Sequence, residues 1–386
     1  MREQRDFPAD DLIEWRRDFH QHPEFGFEEH RTSRLVAERL RSFGSIEVSE
    51  GIGGTGIVGT LRLGAGRRTI GLRADMDALR IQEKGKLLYR SSTPGLMHAC
   101  GHDGHTTMLL GAARVLASEG GFDGTVRFIF QPAEEWGRGA LAMIDDGLFE
   151  RFPIDEIYGL HNLPGLPAGH ILTRAGPIMS AEDIFEIELL GAGVHAARPH
   201  QGRDPLVAAC ALVTGLQTIV SRCLSPTDTA VVSITELVTD GTRNVLPGAA
   251  IIRGDARSFD LAVSEKIETE MRRMAAGIAE GHGCKAAVRY SREFIPLVND
   301  AIATKAALAT ARMAAGADRV IEAAEPHTAS EDFARFLAHV PGCFAFIGNG
   351  EASPPLHNDS YDFNDDVLPV GVDYLVTLAR QRLAAA

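Results

Sequence analysis

The sequence is short of several things, and each shortage narrows the function. Cysteine is scarce: 5 in 386 residues, an odd number and widely scattered. That is no disulfide framework, so the expected setting is reducing and cytoplasmic. Positive charge is in deficit, with 39 Lys and Arg against 52 Asp and Glu, a net charge of −13. Nucleic acid and anionic membrane surfaces are therefore not expected partners. No apolar run approaches the ~20 residues that a membrane span needs. The opening MREQRDFPADDLIEW is charged and has no apolar core of the kind a signal peptide carries. Internal repeats and low-complexity stretches are missing too. What remains is a composition of 45% hydrophobic and 24% charged residues, ordinary for a globular protein, and length enough for two domains.

Along the chain, Asp10 or Asp11 is placed to cap a helix through Phe19, which His20-Gln21-His22-Pro23 interrupts. A second helix is expected over 28–42, with Gly44 ending it. His20, His22 and His30 read as surface histidines. Strands are expected over Gly56–Leu63, Thr69–Arg73, Thr125–Gln131 and Ile157–Leu160, with helices between the later ones. That alternation implies an α/β sheet with substantial parallel pairing. From Ser180 the texture changes to strand, helix (Pro205–Val220), two strands, helix (Ala262–His282) and strand. This order suits a small α+β sandwich with both helices on one face. A helix over Asn299–Ala315, a strand around Phe344 and a last helix from Asp366 return to the first pattern. The stretches 175–180 and 293–298 would form the hinge pair.

The densest chemistry lies in His98–Thr106, HACGHDGHT, which runs into the apolar helix TMLLGAARVLA. Cys100 and His102 flank one glycine, a turn able to aim a thiolate and an imidazole at one point. Borderline-soft divalent ions prefer those ligands. Alone, such a turn serves equally as a structural clip or a polar helix entry. The other polar clusters all follow predicted strands: Asp75 and Asp77, Glu134-Glu135, His161 and His357. In open α/β sheets, sites form beyond the carboxyl ends of strands. A glutamate pair there has a chemical use: one carboxylate can bind metal while the other handles the proton of a bound water. An isolated Glu-Glu turn is otherwise just solvated. Cys210, Cys223, Cys284 and Cys343 sit among apolar or small neighbours and read as packing residues.

The segments RRDFHQHPEFGFEEHRTS, GLRADMDALR, HACGHDGHT, FQPAEE, GLHN, GVHAARPHQGRDP, NVLP and PLHNDSYDFND resemble the aminoacylase/carboxypeptidase metallopeptidase family. More narrowly they resemble its amidohydrolase branch, with hippurate hydrolases, N-acyl-amino-acid deacylases and auxin-conjugate hydrolases. The resemblance spans nearly the whole chain. It implies a catalytic three-layer α/β domain (1–179 and 296–386) with a mixed, largely parallel sheet. A smaller ferredoxin-like α+β lid domain (180–295) interrupts it. It also implies one or two divalent ions (manganese, zinc, cobalt or nickel) and cleavage of N-acyl amino acids. A homodimer through the lid domain is compatible with it.

Carried over by residue, the resemblance makes Cys100, His102, Glu135, His161 and His357 the metal ligands and Glu134 the general base. Asp77 would orient a ligand. His195 would reach the substrate carbonyl beside Asn244, and Arg257 would hold the substrate carboxylate. His200 would support the His195 loop, and His98 and His105 would brace their turn. Two prolines usual in the branch are Arg80 and Asp359 here, changes expected to alter substrate fit. A metallo-dipeptidase or carboxypeptidase is the rival within the family. Others are a thiol hydrolase using Cys100 and a metal-stabilised scaffold, in which the glutamate pair would have no role.

Overall fold

A computed structural model describes residues 9–384. Residues 1–8, which carry part of the expectation that no signal peptide is present, lie outside that range. The chain opens with α1 (Ala9–Gln21), α2 (His30–Ser42), β1 (Glu47–Ile52), β2 (Gly56–Leu63) and β3 (Thr69–Asp75). Next come α3 (His102–Glu119), β4 (Gly124–Gln131), α4 (Gly139–Asp145), α5 (Leu148–Arg151), β5 (Glu156–Pro164), β6 (Ile171–Thr173) and β7 (Gly176–Met179). A middle stretch follows: β8 (Ala181–Leu190), β9 (Val194–His195), α6 (Pro205–Thr218), β10 (Ala230–Thr239), β11 (Val245–Leu246), β12 (Ala249–Ser258), α7 (Leu261–Gly281) and β13 (Lys285–Phe294). Then β14 (Leu297–Asn299), α8 (Ala301–Ala314), β15 (Val320–Glu322), α9 (Ala334–Leu337), β16 (Gly342–Gly350) and α10 (Leu368–Arg382) complete it. The chain divides into two compact units. Unit 1 comprises Met1–Ile178, Val298–Glu325 and Glu331–Ala386; unit 2 comprises Met179–Leu297 and Pro326–Ser330.

Unit 1 is built on an eight-stranded mixed sheet in the order β1-β2-β4-β3-β5-β16-β6-β15. Pairings β4–β3, β3–β5, β5–β16 and β6–β15 are parallel, and β1–β2, β2–β4 and β16–β6 antiparallel. The central strands bury both faces, so they read as continuous apolar runs. In β4, Val126, Phe128 and Phe130 join the main core cluster with α3, α8 and α10, while buried Ile129 lies outside that cluster. That is the two-residue period of a strand between two layers. α3 is buried almost all round, which requires its apolar composition. β1 escapes the sequence reading because it is an edge strand with only Ile52 buried and little apolar signal.

Unit 2 holds a four-stranded antiparallel sheet, β10-β12-β8-β13, in the ferredoxin-like order of strands 2-3-1-4. Phe185, Ile187 and Leu189 of β8 and Ala250, Ile252 and Ala256 of β12 face α6 and α7 in one core. The intervening Glu186 instead pairs with Arg253 and Arg289 on the exposed face. Asp204 accepts the N–H groups of Leu206 and Val207, with Pro205 opening α6, so GRDP is a helix start.

Three expectations need correction. The helical stretch Pro205–Cys223 has a mean hydropathy of 1.6 over a span-like length, so an apolar run of that size does exist. Ala208, Ala209, Leu212, Leu216 and Ile219 commit one of its faces to the core of unit 2. Cys210, on the same helix, is exposed and Cys223 is half-buried, so neither is a core packing residue as Cys284 and Cys343 are. His20 is not on the surface: it is fully buried, because its partner Asp103 arrives from far along the chain.

Candidate metal centre and active site

Because β3, β4, β5 and β16 are linked by parallel pairings, their carboxyl ends lie along one side of the sheet. Asp75 ends β3 and Asp77 follows it. Glu134 and Glu135 follow β4 after Pro132 and Ala133. His161 differs from expectation: it lies within the longer strand β5, paired with Phe346 of β16. His357 sits in the loop after β16 with a positive φ of 60°. The HACGHDGHT turn also differs, since α3 already begins at His102. Gly101 before it has φ +92°, and a Cβ there would lie 2.2 Å from Asn162 Nδ2. Only glycine lets the chain turn that tightly between Cys100 and His102.

These side chains converge. Cys100 Sγ is 3.5 Å from His161 Nε2. His102 Nε2 lies 3.9 Å from Glu135 Oε1 and 4.0 Å from Glu134 Oε2. His357 Nε2 lies 3.3 Å from Glu135 Oε2. Donor atoms of Cys100, Glu135 and His357 all fall within 4.8 Å of one another, as do those of His102, Glu134 and Glu135.

The supporting contacts aim the lone pairs. His102 Nδ1 faces Asp77 Oδ1 at 3.1 Å, and His161 Nδ1 donates to the Asn162 carbonyl at 2.6 Å. Each ring therefore turns Nε2 toward the cluster, as metal-binding histidines do. Asp77 also acts through its other oxygen, since Oδ2 accepts the Glu135 N–H at 3.1 Å. One carboxylate thus ties the His102 ring to the Glu135 backbone. His105 is spent on structure, with Nδ1 on Asp75 at 2.6 Å and Nε2 accepting the Asn162 N–H at 2.9 Å. Asp75 is similarly occupied, its other oxygen accepting from Arg73 at 2.7 Å.

Two atoms test whether the cluster suits a cation. His102 Nε2 and Glu135 Oε1 are buried without a hydrogen-bond partner, and they face each other. Unpaired buried polar atoms are costly, and a cation between them would satisfy both. The electrostatics agree. Burial, followed by Glu135, Glu134 and Asp75, drives the Cys100 thiol well above its usual range. Burial, followed by Glu331, Glu135 and Asp332, does the same to Glu134. For His102, Asp75, Asp77 and Glu135 outweigh burial and hold the ring up at about 10. Carboxylate is in excess, and a divalent cation reverses each of these tendencies. A free nucleophilic thiolate would need the opposite field, which argues against the thiol-hydrolase alternative.

Several members of this neighbourhood are not evident from motif reading. Arg73 is buried and bridges Asp75, Glu331 and Asp332. The Asp332 N–H points to Glu134 Oε1 at 3.4 Å, and Gln131 binds Arg73 and Asp332. Their one sequence signal is charge at the ends of apolar runs, in GLRAD and SEDF. His98 is buried with both ring nitrogens unpartnered, so it makes no bracing hydrogen bond; burial lowers it to about 4.

Known proteins resemble this chain over most of its length. The model of Peptidase family M20/M25/M40 matches residues 71–381. The chain belongs to this family. It is 40% identical to a hippurate hydrolase of Campylobacter jejuni over 95% of each chain. It is 37% identical to an N-acetyl-L-cysteine deacetylase of Bacillus subtilis, over 96% of this chain and 88% of that one. The crystal structure of the Bacillus subtilis YXEP protein, described as a dinuclear metal binding peptidase of the M20 family, superimposes with a TM-score of 0.86. Its identity is 33%, covering 98% of this chain and 99% of that one.

In unit 2 of this family member, His195 and Asn244 are neighbours. β9 and β11 pair His195 with Val245, and the Ala196 N–H donates to the Asn244 carbonyl. Both residues are exposed. His195 Nδ1 accepts the Ala197 N–H at 3.1 Å, so its proton sits on Nε2. His200 lies in the short helical turn Pro199–Gln201 of the same loop. Arg257 is already engaged, with Glu182 at 3.0 Å, Asp255 at 2.9 Å and Ser330 Oγ at 2.9 Å. Arg80 lies over the Phe25 ring at 3.9 Å, and Asp359 pairs with Lys84 at 2.7 Å. Arg80 and Asp359 thus each make a side-chain contact that a proline could not.

Proposed function

We propose that this M20 family member is a metal-dependent amidohydrolase that cleaves N-acyl amino acids to a carboxylic acid and a free amino acid. The facing, unpartnered His102 Nε2 and Glu135 Oε1 beside Glu134 carry the reading. The named activities of the hippurate hydrolase and the N-acetyl-L-cysteine deacetylase support the substrate class. Cys100, His102, Glu135, His161 and His357 would hold one or two divalent ions. Their sulfur, nitrogen and oxygen donors suit manganese, zinc, cobalt or nickel. When bound, such ions would polarise the scissile carbonyl and acidify water.

Glu134 would take the proton of the attacking water and deliver it to the departing amine nitrogen. Asp77 would keep His102 and the Glu135 backbone in register. His195, its proton on Nε2, would donate to the developing oxyanion with Asn244 beside it. A substrate carboxylate reaching Arg257 would have to displace Glu182 or Asp255. The need for a reduced Cys100 suits a cytoplasmic setting. The edge strand β10, with Val231, Leu237 and Val238 exposed, would serve a homodimer.

The deciding experiment offers metal-stripped protein a panel of acetyl, benzoyl and indoleacetyl amino acids and dipeptides. Each ion is added in turn, with Glu134→Ala alongside. Metal-restored release of free amino acid from the acyl substrates, abolished in the variant, is expected. Cleavage of dipeptides alone would move the protein to the peptidase side of the family. Turnover without metal would end the reading.

A further inference from the structure

The segment Pro23–Glu29, PEFGFEE, has no role in the mechanism above, yet it touches the residue that starts the glutamate turn. Ala133 adopts a left-handed conformation, φ 47° and ψ 44°, immediately before Glu134 and Glu135. Alanine visits that region at a steric cost, so the surroundings must hold it there. Two things do. Glu29 Oε1 accepts the Ala133 N–H at 2.9 Å, while its Oε2 accepts the Thr55 hydroxyl at 2.6 Å. Glu29 is fully buried, and these bonds use both of its oxygens. Gly26 closes the other side: a Cβ there would stand 3.0 Å from Ala133 Cα and Cβ. Gly26 has no positive φ, so its glycine is needed for that close approach and not for its own backbone.

We propose that Glu29 is a positioning residue that, by gripping the Ala133 N–H, locks the left-handed turn presenting Glu134 and Glu135. Oε1 of Glu29 fixes where β4 ends its extended course, and Asp77 Oδ2 then fixes the Glu135 N–H two residues later. The turn is thus held by two buried carboxylates acting on its backbone donors. Trp136 extends the brace on the other side, its ring edge-on to Phe25 and Phe27 at 4.7 and 6.4 Å. This rests on the roles given to Glu134 and Glu135 above.

The test uses Glu29→Gln, Glu29→Leu, Glu29→Leu with Ala133→Gly, and Gly26→Ala. Burial, with Asp77 next, lifts the Glu29 carboxyl to about 7. Its neutral form is therefore populated, and glutamine can accept from Ala133 while donating to Thr55. Glu29→Gln is expected to keep kcat within about threefold, in line with retained hydrogen bonds. Glu29→Leu should lower kcat about 10- to 100-fold with KM little changed, the size of a misplacement effect. Amide exchange of the 132–137 backbone, measured without added metal, should speed up in parallel. Adding Ala133→Gly, which removes the left-handed penalty, should recover most of the kcat loss. Gly26→Ala removes no hydrogen bond and should reproduce the kcat loss if Glu29→Leu fails to fold. Wild-type kcat and unchanged exchange in Glu29→Leu would overturn the proposal, as would no recovery with glycine at 133. If the unmodified protein hydrolyses no acyl amino acid or peptide, the functional reading fails by itself. The exchange data would still decide whether Glu29 locks the turn.

Discussion

Apart from His357, whose side chain is 52% exposed, and Arg257, which is held by three partners, the candidate residues of unit 1 and those of unit 2 are built in opposite ways. In unit 1, His102 has no exposed side-chain surface and Glu135 has 8%. Almost every atom that does not point at the centre is bound: Asp77 to His102 and Glu135, Asn162 to His161 and His105, Arg73 to three carboxylates. In unit 2, His195 stands exposed on a ribbon of two residues per strand, and exposed Asn244 immediately precedes the other strand. A cation centre needs rigid, desolvated donors at fixed separation, while a group that meets the substrate needs freedom to reach it. Damage to the first set should appear in metal binding, and damage to the second in turnover alone.

The sharpest way to break that distinction is Glu134, which shares the rigid environment but is read as the proton carrier. Glu134→Gln should lower kcat about a thousandfold, in the range for general acid–base groups, with metal content by elemental analysis unchanged. Loss of metal would make Glu134 a ligand. Asp77→Ala should do the reverse. Metal affinity is expected to fall about 10- to 100-fold, the usual cost of removing a supporting partner, as read by titration calorimetry. Unaltered affinity would mean that His102 and Glu135 hold their positions unaided. On the unit 2 side, His195→Ala should cost about 100-fold in kcat, the scale of one oxyanion donor, with metal affinity untouched. A fall in metal affinity there would collapse the contrast.

The two regions also differed in how far the sequence disclosed them. The alternating strands and helices of unit 1 and the βαββαβ order of unit 2 are periodic, local signals, and they foretell the mixed sheet and the ferredoxin-like sandwich. Cys100, His102, Glu135, His161 and His357 stand out by motif, and in space they lie together. Their supports do not stand out. Arg73, Glu331 and Asp332 are common charged residues whose value comes from pairings some 258 residues apart in sequence. Cys210 misleads because AACAL is apolar, although a helix in contact with its core on one face leaves the other exposed. His20 misleads for a similar reason. FHQH looks like a polar helix end until Asp103 and Glu83 are folded around it.

That buried histidine gives the smallest of the expected effects, and it separates the units by pH. His20 Nδ1 lies 2.8 Å from Asp103 Oδ2, with Glu83 at 3.5 Å on the other nitrogen. Arg16, Tyr89 and His98 complete its surroundings. Burial lowers its proton affinity, but Asp103 and Glu83 more than compensate, and the ring is held up at about 9. Because the folded value lies above the unfolded 6.5, the stabilisation is fully present below pH 6.5 and is lost as pH rises through 9. The loss is at most on the order of 3 kcal/mol. Denaturant melts of the wild type should therefore weaken between those pH values, and His20→Gln should flatten the slope. In unit 2 the ion pairs of Glu186 with Arg253 and Arg289 are exposed on the sheet surface. Exchange protection there should stay level over the same interval, since exposed pairs contribute little. If both units lost protection together across pH 6.5 to 9, the buried His20–Asp103 contact could not be the source.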